Sequence, residues 1–118
     1  MLRVSAQTTQ TDIDIHGVTG NANAADQGIT HGRLLMAFAE AVASRDTSEI
    51  QSSREALRLA AGDAVVVDAA GVAANFQRMV RIADSVGIPV DDLENDFGKE
   101  TRATLSLDEF HSARNSLG

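Results

Sequence analysis

The sequence predicts an all-α fold: a small helical bundle with a polar N-terminal arm and a short C-terminal helix. Three observations carry that expectation. Between Asp63 and Pro89, apolar residues recur at Val65, Ala69, Val72, Phe76, Met79, Ala83 and Val86, a three-and-four spacing that gathers them on one helical face. A shorter stripe upstream, Leu34, Leu35, Phe38, Ala41 and Val42, repeats the pattern. Between and after the stripes stand helix-ending signals: Arg45-Asp46, Gly62, and Gly87 followed by Pro89, the last pair supplying a left-handed residue and then a barrier to continuation.

Taken in order, residues 1–29 read as a polar arm, flexible or weakly extended, rich in Thr, Gln, Asn, Asp and Gly. Within it Asp12-Ile13-Asp14-Ile15-His16 alternates, which suits a short strand with both isoleucines on one side. Such a strand needs a partner, for example its counterpart in a second copy. The helical domain is expected over 30–118. Its first helix carries the Leu34 to Val42 stripe. Thr47 is placed to cap the second helix, since its hydroxyl can accept an orphan N–H, and Glu49 suits the first turn of the helix dipole. This helix runs to about Ala61 with Ile50, Leu57 and Ala60 or Ala61 inward, and Gly62 ends it. Asp63 caps the long third helix, whose middle (Ala69, Ala70, Gly71, Ala73, Ala74) is thin enough for another backbone to approach. After Pro89 the chain turns acidic and less regular. Ser106-Leu107-Asp108-Glu109 has the capping-box spacing, so a short final helix anchored by Leu107 and Phe110 is expected.

Composition narrows the function. The 118 residues are 43% hydrophobic but only 3% aromatic, so the core is built of Ala, Val, Leu and Ile. A core that small is commonly reinforced by oligomerisation. A net charge of −7 makes nucleic acid and anionic membranes poor partners, because both require a basic face. No cysteine is present, which removes disulfides, thiol catalysis and sulfur-ligated metals from these residues. No run approaches the ~18 apolar residues of a membrane span, and MLRVSAQTTQ is not a signal peptide. A cytoplasmic location is the expectation, and no cofactor is implied.

In an extended segment, Asp12, Asp14 and His16 share one face, and two carboxylates with an imidazole are credible ligands for zinc or manganese. The bland alternative is a solvated edge. Arg81 stands three residues before Asp84, the spacing of an intrahelical ion pair, with Arg78 on the same helix. The alternative is that Arg81 meets an acidic residue of a neighbouring subunit. The expected oligomer interface is therefore Val72, Phe76, Met79 and Arg81. The acidic run Asp91, Asp92, Glu94, Asp96 is not a calcium loop: counted from Asp92, positions six and twelve are Phe97 and Ala103 where an EF-hand needs Gly and Glu.

Leu34-Leu35 with Phe38-Ala39, Ala56-Leu57 with Gly62, the segment from Phe76 to Pro89 (including RMVRIADSVGIP), and the tail at Leu105, Leu107, Phe110 and Arg114 together resemble the C-terminal half of alkylhydroperoxidase-like proteins, in the peroxidase-related branch of the carboxymuconolactone decarboxylase superfamily. The resemblance spans roughly residues 30–115 and implies a helical fold and a homo-oligomer. It implies no peroxidase activity here. The redox members carry Cys-x-x-Cys ahead of the matched region, where this chain has polar residues, so no catalytic residue transfers. The decarboxylase branch works without a dithiol, and this leaves a cysteine-independent lyase in which His31 is general base, Arg33 holds a substrate carboxylate and Glu40 orients or protonates. The leading expectation is a non-catalytic protein acting by self-association or through a protein partner.

Overall fold

A computed structural model describes residues 14–26 and 28–117. It is all-α: six helices and no strand occur among the described residues. They are α1 (Ala22–Ala25), α2 (Gly32–Ser44), α3 (Thr47–Ala61), α4 (Asp63–Val86), α5 (Asp96–Thr104) and α6 (Arg114–Leu117), with 3-10 turns at Ile15–Thr19, Leu107–Glu109 and His111–Ala113. The chain divides into two compact units, Met1–Gln77 and Arg78–Gly118.

In the first unit the core consists of Ile15, Ala24, Ala25, Phe38, Ala41 and Leu57. The stripe expected on α2 faces it, with Phe38 and Ala41 buried and Leu34, Leu35 and Val42 half-buried. Leu57 is the anchor of α3, at 0% exposure. The two helices pack on each other across a two-residue turn. Arg45 makes that turn by adopting φ 60° and donating its N–H to the Ala41 carbonyl, a left-handed stop in a residue other than glycine. The cap of α3 is Asp46, not Thr47: Asp46 Oδ1 accepts from the Glu49 N–H at 3.0 Å. A carboxylate one residue earlier meets the same orphan donor and adds a negative charge at the positive end of the helix, leaving Thr47 as the first helical residue.

The expected boundary at residue 30 does not hold. Ile15, Ala24 and Ala25, all assigned to the arm, are buried, and α1 packs on α2. Asn21 Oδ1 caps α1 by accepting from Asn23 and Ala24 N–H groups. The approach is close at Gly32, where a Cβ would overlap the carbonyl oxygen of Ala25. The expected strand also fails where it is described. Ile15 begins a 3-10 turn capped by Asp14, because the Asp14 carboxylate competes for local N–H groups as short polar side chains do. Asp12 and Ile13 lie outside the described residues.

α4 begins right after Gly62, which sits at φ 89°, and Asp63 is its first residue. Its end is a Schellman cap: the Ile88 N–H donates to Ala83 O at 3.1 Å and the Gly87 N–H to Asp84 O at 3.4 Å, with Gly87 at φ 66°. Pro89 then follows, as the sequence anticipates.

The second unit departs from expectation twice. The acidic stretch holds a helix, α5, capped by Asn95 Oδ1 accepting from the Gly98 N–H at 3.0 Å. Leu93, Phe97 and Thr101, one turn apart, are its half-buried side. Conversely, the capping box at Ser106 does not form. Ser106 adopts φ 51° and its side chain caps nothing, because a left-handed residue aims its hydroxyl away from the following turn. Leu107–Glu109 is a single 3-10 turn, Phe110 is extended, and the last helix starts only at Arg114.

Candidate functional site

The long helix α4 presents its apolar stripe to the surface. None of its residues is buried. Val65, Ala69 and Ala83 are half-buried, while Val72, Phe76 and Met79 are 58%, 60% and 51% exposed and Val80, Ile82 and Val86 are exposed as well. Arg81 is exposed on the same helix, and no ion pair joins it to Asp84 among the described residues. Contiguous apolar surface of this kind, running some six turns, is uncommon on monomers and marks interaction faces.

The lyase residues are scattered. Arg33 is engaged with Asp26: its Nε lies 3.0 Å from Asp26 Oδ2, and its backbone N–H donates to Asp26 Oδ1 at 2.9 Å. Its Nη2 also donates to Asn23 Oδ1 at 3.3 Å. These bonds tie the start of α2 to the end of α1. His31 is the left-handed residue that precedes α2, exposed and without a side-chain capping bond. Glu40 is exposed two turns further on, with Oε1 close to Gly20. No hydrogen bond or ion pair joins the three to one another among the described residues. The apolar groove beside α2, about 370 Å³ and walled by Val18, Ile29, Leu35 and Met36, includes none of them.

Asp14 and His16 do meet, for a local reason. Asp14 Oδ1 accepts the His16 N–H at 3.0 Å and lies 2.8 Å from the ring Nδ1. The His16 backbone N–H, and after it the His16 ring, hold the Asp14 carboxyl below the usual carboxylate range. The pair closes on itself as a turn cap. No group of three or more His, Asp or Glu placed to hold a metal occurs among the described residues, and Asp12 falls outside them.

A groove of about 560 Å³ in the second unit was not anticipated. Ile88, Val90, Leu93, Phe97, Leu107 and Phe110 supply its apolar wall. Arg102 stands in that wall, 15% exposed, with Nε 3.6 Å from Asp108 Oδ1 and Nη2 donating to Leu93 O at 2.9 Å. Arg102 thereby staples the loop before α5 to the turn after it. The readable signal was the Leu93, Phe97, Thr101 spacing behind Asn95, hidden by the surrounding acids and by Gly98.

No helix among the described residues is long and apolar enough to cross a membrane. No family model, curated protein or solved structure matches the chain.

Proposed function

We propose that this is a non-catalytic, alkylhydroperoxidase-like protein of the cytoplasm that works by assembly, its long helix associating with further copies of itself. The observation that carries the reading is the exposed stripe of α4, above all Val72, Phe76 and Met79. Large apolar side chains cost free energy in water in proportion to the area exposed, and a second surface laid on them relieves that cost. The lack of cysteine removes thiol peroxidase chemistry from these residues. The engagement of Arg33 by Asp26 leaves the lyase arrangement of His31, Arg33 and Glu40 without a convergent geometry to support it.

Light scattering coupled to size-exclusion chromatography tests the reading. A discrete oligomer is expected. A mass equal to the single chain, 12.4 kDa, across the micromolar range sinks it and turns the stripe into a surface for a different protein.

A further inference from the structure

The exposed stripe of α4 has a stricter order than amphipathicity requires. Val65, Ala69, Val72, Phe76, Met79, Ala83 and Val86 alternate steps of four and three without a break, a 3.5-residue repeat of two positions in every seven. A repeat of two positions in seven over three heptads suits a helix wound on another helix. The exposed Val80 and Ile82 flank the seam on either side. Val72, Phe76, Met79, Val80, Ile82 and Val86, each more than half exposed, amount to roughly 600 Å² per chain and roughly 1,200 Å² for a pair, the size at which specific interfaces begin.

We infer that the occupant is α4 of a second copy, running antiparallel; this rests on the self-association reading and adds its geometry. The argument comes from the sizes along the seam. Laid parallel and in register, Phe76 meets Phe76 of the second copy, while Ala69 meets Ala69 and Ala83 meets Ala83. One layer is then overfilled between two that are underfilled, and close-packed interfaces tolerate neither. Laid antiparallel over its full length, Phe76 meets Val72 of the second copy, Ala69 meets Met79, and Ala83 meets Val65. Each alanine faces a larger side chain, and the only aromatic of the seam faces a valine.

The helix dipoles favour the same direction, since an antiparallel pair opposes them and a parallel pair aligns them.

Because the chain has no cysteine, single cysteines carry spin labels to chosen points of the full-length protein. Ala64→Cys labels the start of α4, and Ala73→Cys labels its middle, beside the two-fold axis of the antiparallel arrangement. The expected result is a short separation for Ala73→Cys, under about 20 Å, and a long one for Ala64→Cys, about 30 Å or more from the twenty-residue axial offset. Short separations at both sites overturn the antiparallel arrangement and leave self-association standing. No dipolar coupling at either site overturns both. If Ala64→Cys fails to fold by circular dichroism, Val67→Cys, exposed on the far side of the helix, repeats the test with an axial offset of about 21 Å.

Discussion

α3 and α4 are consecutive helices separated only by Gly62, and they solve opposite problems. α3 (TSEIQSSREALRLAA) is the more polar of the two, yet it fills the core with Leu57, the most completely buried large side chain among the described residues. α4 is longer and more apolar, yet none of its residues is fully buried. Burial therefore does not follow hydrophobic content here. One leucine placed opposite α2 is more deeply buried than any large apolar residue of α4. The polar helix is held by packing at one point and by its cap. The apolar helix is rich in β-branched valine and isoleucine, ends in a Schellman stop, and carries much of its stripe exposed.

Truncation breaks the comparison hardest. Leu57→Ala leaves a cavity where exposure is nil, and a loss of about 2–5 kcal/mol is expected, read by urea denaturation at a fixed protein concentration. Gly32→Ala comes next. Its new methyl meets the carbonyl of Ala25, so α1 must move off α2, at about 1–3 kcal/mol, measured in the same way. Asp46→Ala removes the cap of α3 and should cost about 1 kcal/mol; a cost of zero would return the capping role to Thr47. On the α4 side, Phe76→Asp should change the stability of the isolated chain by no more than about 0.5 kcal/mol while abolishing the oligomer in light scattering. Loss of the fold instead would show that the stripe is covered within the chain.

The smallest effect sharpens the polar side. The Arg58 guanidinium donates to Glu55 at 2.8 Å and 2.7 Å and lowers the Glu55 pKa. A carboxyl whose folded pKa is depressed contributes stability that is present above its unfolded value of about 4.5 and is lost as pH falls through the folded one. Carboxyl NMR should place the Glu55 midpoint below that of an ordinary glutamate, and Arg58→Gln should bring it back up.

The legible parts of the fold were those written in side-chain period and backbone punctuation. The stripes on α2 and α4, the inward Leu57, and the stops at Gly62 and Gly87 depend on local rules, and the structure obeys them. What escaped depends on competition between neighbours. Asp46 and Thr47 are both good caps, and the carboxylate prevails. Ser106 and Glu109 have capping-box spacing, but the left-handed backbone at Ser106 cancels it. Ala24 and Ala25 are too small to announce burial, and only the contact with Gly32 explains why small residues stand there. The same holds for the candidate site. Exposure of Val72, Phe76 and Met79 was readable only as a shared face, since sequence period marks a stripe but not what lies on it. Arg33 was readable as a cation but not as the partner of Asp26, seven residues back.

The contact between Gly32 and Ala25 has a consequence at the level of the gene. Every missense change at codon 32 introduces a β-carbon, and the space for it is taken by main chain, which cannot rotate aside. In a library of all single substitutions scored for abundance, position 32 should tolerate nothing. Position 76 should stay populated in that screen and empty only when the score is assembly, so the two positions would separate the requirement for folding from the requirement for association within one experiment.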